Sequence, residues 1–108
     1  AGMIIGDPDI SKQWIAKWEA GDRSKLQEPV KTLLFRDDIT DRMGEINCPV
    51  LIIHGEEDQA IPMEAAEDLM KRLSNCHGLV RVPGAAHAPN MTHPELVNDA
   101  IAAFLGEI

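Results

Sequence analysis

The pattern of apolar and polar positions predicts two short strands joined by a helix in the second half of the chain. Residues 50–53 are four consecutive apolar residues bounded by Pro49 and Gly55, which is typical of a strand buried on both faces. Residues 79–83 predict a second strand, and residues 62–75 between them carry apolar side chains at helical spacing. The predicted buried stripe of this helix consists of Ala66, Leu69, Met70 and Leu73. A strand, helix and strand of this length predict a right-handed parallel crossover.

A helical segment is also predicted near the start of the chain. Ser11 is suited to cap a helix that has Trp14, Ile15 and Trp18 on one face, and Gly21 ends it. The residues before Ser11 are small, apolar and turn-prone. The chain is therefore predicted to begin with turn-prone residues and to continue as a helix.

Two more helices are predicted, one before and one after the strand–helix–strand unit. Residues 24–36 have apolar side chains at helical spacing, although Pro29 weakens the first turn. Thr92 and Glu95 have the spacing of a capping box, which predicts the start of a last helix that ends at Gly106. This last helix is expected to pack on the sheet.

Two residues that can transfer protons follow the two predicted strands. Asp58 lies in the loop after the first strand, beyond Gly55, whose missing Cβ permits a sharp turn. His87 follows the second strand through the small residues Gly84-Ala85-Ala86. Because parallel strands end at the same edge of a sheet, we expect the two side chains to lie within reach of each other. A carboxylate beside an imidazole forms the second and third members of a Ser-Asp-His relay.

The segments that carry these residues resemble the last two strands of the α/β-hydrolase family. The matching segments are Pro49-Val50-Leu51-Ile52-Ile53-His54-Gly55-Glu56-Glu57-Asp58 and Gly84-Ala85-Ala86-His87. The resemblance implies an α/β fold class, namely a partial α/β-hydrolase fold with its last two parallel strands, their crossover and the C-terminal helices, preceded by cap-like helices. It implies that residues 1–45 derive from the helical cap and that residues 46–108 form the C-terminal strand-helix-strand-helix part. It also implies that Asp58 is the triad acid and His87 the triad histidine.

The nucleophile that this family carries on a G-x-S-x-G turn has no match in the sequence. Ser11, Ser24 and Ser74 have no flanking glycines, and neither Cys48 nor Cys76 lies in such a turn. The resemblance therefore covers only the C-terminal portion of a family member. We expect the chain to supply two of the three relay groups and to be inactive alone.

Five residues are candidates for substrate contact. Ala60 and Ile61 follow the acid, Ala88 follows the histidine, and Trp14 or Trp18 would line an acyl pocket. The alternative for both tryptophans is simple packing, because apolar stripes on helices usually belong to the core. A third possibility is an exposed apolar patch.

The remaining carboxylates and histidines near the two loops have simpler interpretations. Glu56 and Glu57 are rivals for the acid role, but they fall in the turn itself and are expected to be solvated. His54 is expected to be a hydrogen-bonded structural histidine at the end of the strand, and His77 and His93 are expected on the surface. No two histidines share a face and no Cys-x-x-Cys occurs, so no metal site is expected.

Composition narrows the classes of partner. The net charge of −8 argues against nucleic acid and anionic membranes, which attract basic surfaces. No apolar run approaches the ~20 residues of a membrane span, and no signal-peptide pattern opens the chain. No glycine-rich phosphate loop follows a strand, so nucleotide binding is disfavoured, and no cofactor is expected. Two cysteines are too few for a disulfide framework, which predicts reduced thiols and a cytoplasmic protein.

Three functions are compatible with these features. The first is the C-terminal part of a serine-type ester or acyl hydrolase acting on a small-molecule substrate, with the N-terminal half missing. The second is a non-catalytic domain that self-associates, because two strands leave unpaired edges and predict a homodimer or higher oligomer. The third is a module that binds a hydrophobic ligand through its tryptophans.

Overall fold

The computed structural model describes all 108 residues and contains a two-stranded parallel sheet surrounded by helices. The strands are β1 (Val50–Gly55) and β2 (Cys76–Val82). The helices are α1 (Gly2–Ile5), α2 (Pro8–Ala20), α3 (Gln27–Phe35), α4 (Met63–Arg72), α5 (Pro89–Thr92) and α6 (Pro94–Glu107), with 3₁₀ turns at Arg23–Leu26 and Thr40–Glu45. No helix has the length and apolar character that crossing a membrane requires.

The predicted parallel strand–helix–strand unit is confirmed. β1 and β2 pair in parallel, and α4 connects them. β2 begins three residues earlier than predicted, at Cys76 rather than Leu79, and the register shifts between Val50 and Leu51. Gly78 accommodates this irregularity, since its φ of 143° is a conformation that favours glycine.

The core consists of two small clusters on opposite faces of the sheet. On one face Ile52 packs with Ala66 and Leu73, from α4 and its C-terminal end. On the other face Val82, which is fully buried, packs with Val97 of α6. Cover on both faces explains why 50–53 is a continuous apolar run.

The helix boundaries differ from the predictions at both ends of the chain. α2 begins at Pro8, because Asp7 caps it by accepting a hydrogen bond from the amide of Ile10 at 2.8 Å. Ser11 is not the cap; it is buried in the first turn, and its hydroxyl has no hydrogen-bond partner. Part of the turn-prone segment at the start of the chain is also helical, since Gly2–Ile5 form α1.

The predicted capping box at the start of the last helix is wrong. The N-cap of α6 is His93, which makes no capping hydrogen bond, and Pro94 occupies the first helical turn. Thr92 is unavailable as a cap because it already ends α5, where its hydroxyl lies 2.8 Å from Nδ1 of His93. α6 also continues through Gly106 to Glu107.

The first residues of the chain lie against the loop that carries His87. Ile5 is buried, and Gly6 has a φ of 76°. A Cβ placed on Gly6 would lie 3.0 Å from Cβ of Ala86, and α1 also contacts α5. The division into a cap-derived segment, 1–45, and a C-terminal part, 46–108, stays a prediction.

Candidate active site

The turn after β1 holds the carboxylate of Asp58 by its own backbone. Oδ1 accepts hydrogen bonds from the amides of Ala60 at 2.8 Å and Ile61 at 3.0 Å. The amide of Asp58 in turn donates to the carbonyl oxygen of Gly55 at 3.3 Å. The side chain is 2% exposed, so the carboxylate is fixed and shielded from solvent.

The turn after β1 and the turn after β2 are bonded to each other. The amide of Glu56 donates to the carbonyl of Val82 at 3.1 Å, and the amide of Glu57 donates to the carbonyl of Ala85 at 2.9 Å. These two bonds continue the sheet ladder past the end of the strands. They carry the loop before His87 directly over the Asp58 turn.

Gly55 permits this close approach. A Cβ at this position would lie well inside van der Waals contact with the carbonyl oxygens of Ala85 and Ala86, and 2.7 Å from the carbonyl carbon of Ala85. Gly55 does not have a positive φ, so the predicted reason for the glycine, a sharp turn, is not the one that applies. The position needs glycine because the backbone of a neighbouring loop occupies the space of a side chain.

The structure brings Asp58 and His87 into direct contact. Nδ1 of His87 lies 2.8 Å from Oδ2 of Asp58, although the two residues are 29 positions apart. Asp58 is almost completely buried, whereas the side chain of His87 is 43% exposed. The imidazole therefore has one edge on the carboxylate and the other edge accessible.

Hydrogen bonding keeps Asp58 ionised. Burial raises the pKa of its carboxyl group, but the hydrogen bonds from the Ile61 amide, from His87 and from the Ala60 amide together lower that pKa below the ordinary value of 3.8. An ionised carboxylate only accepts, so the proton between the two residues belongs to Nδ1 of His87. Nε2 of the neutral ring is then unprotonated and can accept a proton.

This arrangement predicts how Asp58 contributes to stability as pH changes. The folded-state pKa lies below the unfolded value, so the contribution is complete above pH ~3.8 and is lost as pH falls through the folded-state pKa. Asp58→Asn is expected to lower the free energy of unfolding by about 1–3 kcal/mol at pH 7, the size of lost hydrogen bonds to a charged group. Urea unfolding of both proteins from pH 7 to pH 3 measures this difference. A difference that grew below pH 3.8 would contradict the assignment.

The other candidates from the sequence lie around this pair. Glu56 and Glu57 are exposed and hydrogen bond only through their backbones. Ala60 and Ile61 form the Asp58 turn, and their amides are used to hold the carboxylate. Ala88 follows His87 and is half-buried. Substrate contact by Ala60, Ile61 and Ala88 stays a prediction.

The two tryptophans lie on α2 and pack against each other. Their ring centroids are 6.3 Å apart, and the ammonium of Lys17 lies 4.7 Å from the Trp14 ring. Trp14 is half-buried, whereas Trp18 is 49% exposed. A shallow cavity of about 390 Å³ beside Trp18 is lined by Ile15, Trp18, Glu19, Arg23 and Leu26. Neither Asp58 nor His87 lines it, so a role of Trp14 or Trp18 in an acyl pocket stays a prediction.

His54 is closer to the site than the sequence analysis expected. Its side chain is 12% exposed, and Nε2 lies 2.9 Å from the carbonyl oxygen of Ile61 and 3.5 Å from Oδ2 of Asp58. The expectation of a hydrogen-bonded histidine agrees with this contact. The sequence signal for its proximity to Asp58 is the four-residue spacing across a tight turn after the strand.

The other histidines and two of the serines make contacts that do not involve Asp58 or His87. His77 packs its ring edge-on against Phe104, and His93 contacts Thr92. The hydroxyls of Ser24 and Ser74 hydrogen bond to Asp22 and to the carbonyl of Ile46, so neither serine bonds to His87. No group of three or more histidine, cysteine or acidic side chains is arranged to hold a metal ion.

Comparison with known proteins identifies the family to which this chain is similar. The family model described as serine aminopeptidase, S33, matches residues 12–91. A Synechocystis protein that carries the name of a non-heme chloroperoxidase is 43% identical over 96% of the chain, and the bifunctional esterase/perhydrolase DCH of Acinetobacter calcoaceticus is 35% identical over 96%. The chain spans 37% of the length of each of these two relatives.

A solved structure shares the fold. The thermophilic esterase from Thermogutta terrifontis superposes with a TM-score of 0.64 and 33% identity, over 68% of this chain and 26% of the esterase. The relatives and the structural match confirm the resemblance and the partial α/β-hydrolase fold that the sequence predicts. The chain therefore belongs to the α/β-hydrolase family, in the group described by the serine aminopeptidase S33 model.

Proposed function

We propose that this chain supplies the acid and the base of a serine-type ester or acyl hydrolase relay and does not hydrolyse esters by itself. The observation that carries the proposal is the 2.8 Å contact between Nδ1 of His87 and the buried carboxylate of Asp58. The names of two of the similar proteins, an esterase/perhydrolase and an esterase, favour ester substrates.

The relay works by moving one proton through Nε2 of His87. A nucleophilic hydroxyl from outside these 108 residues attacks the ester carbonyl and gives its proton to Nε2. The ring becomes an imidazolium, and the charge of Asp58 stabilises it through the Nδ1–H hydrogen bond. Nε2 then returns the proton to the departing alcohol, and the same cycle with water releases the acid.

The test is a transplant that supplies the missing nucleophile. Residues 1–108 replace the matching segment of the Acinetobacter esterase/perhydrolase, which is 35% identical over 104 residues. Hydrolysis of a p-nitrophenyl ester by this fusion, measured beside the unmodified relative, is the readout. The isolated chain is expected to show no turnover above that of its His87→Ala variant. A folded fusion without activity would contradict the proposal, and so would His87-dependent turnover by the isolated chain.

A second candidate, self-association, is favoured by a specific surface. α3 exposes 59% of Leu33, 69% of Leu34 and 80% of Phe35, and such adjacent exposed apolar side chains are typical of an interaction surface. Both outer edges of the two-stranded sheet are also unpaired. These features support a homodimer or higher oligomer in which α3 is covered by a second copy.

Sedimentation measures this directly. The unmodified chain is expected to sediment as a dimer or larger species at micromolar concentration. Phe35→Glu is expected to raise the dissociation constant of this assembly by at least ~10-fold. Asn90→Glu, an exposed polar position on α5, is the charge-matched control. A stable monomer at all concentrations would rule the assembly out.

Two further proposals concern the class of substrate and the cellular location. The substrate is proposed to be a small molecule rather than a nucleic acid or a membrane, because the chain carries a charge of −8. The two cysteines are free, which supports the proposed cytoplasmic location.

A further inference from the structure

We propose that His54 is a positioning residue that locks the Asp58 turn and so aims the carboxylate at His87. This inference rests on the proposed function of Asp58 and His87. It concerns a third side chain, which the sequence predicts only to be a hydrogen-bonded structural histidine.

The hydrogen-bond chemistry fixes the protonation of the His54 ring. Nε2 lies 2.9 Å from the carbonyl oxygen of Ile61, and a carbonyl oxygen can only accept. Nε2 must therefore carry the proton, and in the neutral ring Nδ1 is the unprotonated nitrogen. This is the opposite tautomer from His87, whose Nδ1 donates to Asp58.

A second acceptor lies near the same nitrogen. Oδ2 of Asp58, the oxygen that receives the His87 proton, is 3.5 Å from Nε2 of His54. The turn is thus held from both sides. The amides of Ala60 and Ile61 hold Oδ1, and His54 holds the carbonyl of Ile61 and lies against Oδ2.

Burial makes this bond consequential. The His54 side chain is 12% exposed and the Asp58 side chain is 2% exposed, so water has little access to the ring and the carboxylate, although Ile61 itself is 43% exposed. The carbonyl belongs to the Ile61–Pro62 peptide and the amide that binds Oδ1 belongs to the preceding peptide, so the two groups are linked through Cα of Ile61. Without the donor, we expect Ile61 to be held less firmly and its amide to bind Oδ1 less tightly. The carboxylate then loses its fixed orientation toward Nδ1 of His87.

The experiment uses the 108-residue chain and nuclear magnetic resonance, so it needs no nucleophile and no activity. First, the ring ¹⁵N shifts of His54 are measured at pH ~8, where histidines with ordinary pKa values are neutral. The expected result is protonated Nε2 and unprotonated Nδ1. The opposite tautomer would overturn the proposal without any substitution.

Two variants then separate positioning from packing. His54→Phe keeps a planar ring but removes the donor, whereas His54→Gln places an amide N–H near the position of Nε2. The solvent exchange of the His87 Nδ1 proton is expected to be at least ~10-fold faster in His54→Phe and close to unmodified in His54→Gln. His77→Phe, at an exposed histidine that packs on Phe104, is the matched control.

Each outcome decides the question. Slow exchange retained in His54→Phe shows that Asp58 is aimed without His54 and ends the proposal. If His54→Phe fails to fold, His54→Gln and the tautomer still decide it, because an exchange rate in His54→Gln as fast as in unfolded chain would exclude rescue by a donor. These readouts are independent of the transplant assay, so a failed relay and a failed positioning role give different results.

Discussion

Replacing His87 with alanine in the active fusion is expected to lower kcat/KM for a p-nitrophenyl ester by about 10⁶-fold, the scale of losing the base of a serine relay. The reason lies in the geometry of the ring. Nδ1 is committed to Asp58 at 2.8 Å, and only Nε2, on the accessible edge, can take the proton of the nucleophile. Alanine leaves no group at that place, so kcat is expected to fall while KM changes little.

Two variants show whether this loss is specific. His93→Ala removes an imidazole that contacts Thr92 and not Asp58, so its activity is expected to stay within ~3-fold of the unmodified fusion. Asp58→Asn keeps the shape of the acid but puts an amide donor or an uncharged oxygen against Nδ1, and is expected to lose about 10³- to 10⁴-fold. A His87→Ala loss no larger than that of His93→Ala would show that the pair is structural.

The contact between Asp58 and His87 could be predicted from the sequence because its signals are local. A run of four apolar residues, a glycine and an acid at fixed spacing mark the end of β1, and a small-residue loop before His87 marks the end of β2. Parallel pairing then follows from the length of the connection, and with it the shared edge of the sheet.

The details that failed depend on competition between neighbouring signals. Asp7 and Pro8 together start α2 more strongly than Ser11 does, because an acid cap and a proline in the first turn reinforce each other. Thr92 has the spacing of a capping residue with Glu95, but it is already the last residue of α5. The spacing of Thr92 and Glu95 does not reveal that Thr92 already belongs to the preceding helix, α5.

The contacts of His54 with Ile61 and Asp58, and the reason why position 55 needs glycine, could not be predicted from the sequence. His54 approaches Asp58 only because the turn places the carbonyl of Ile61 beside its ring. Gly55 is required by a loop that is 30 residues away in the chain. Both facts are properties of the packed turns, and both act on the same quantity, the distance between the carboxylate and the imidazole.

Gly55→Ala is therefore expected to be among the most destabilising single substitutions in the chain. The new Cβ would overlap the carbonyl oxygens of Ala85 and Ala86, which are backbone atoms and cannot move aside as a side chain can. The loop must shift away from β1, and the bond from the Glu57 amide to Ala85 is strained with it. The free energy of unfolding is expected to fall by roughly 3 kcal/mol or more, measured by urea denaturation.

The matched control is Gly106→Ala, whose Cβ would meet no atom within 4 Å and which lies inside α6. There alanine is expected to raise stability by up to about 1 kcal/mol, since it is the better helix former. The same substitution, glycine to alanine, is thus expected to lower the free energy of unfolding at position 55 and to raise it at position 106. Because the displaced loop carries His87, Gly55→Ala is also expected to speed the solvent exchange of the Nδ1 proton that bonds to Asp58. A Gly55→Ala protein that kept both its stability and the exchange rate of that proton would show that the two turns are not held in the close contact on which the pairing of Asp58 with His87 depends.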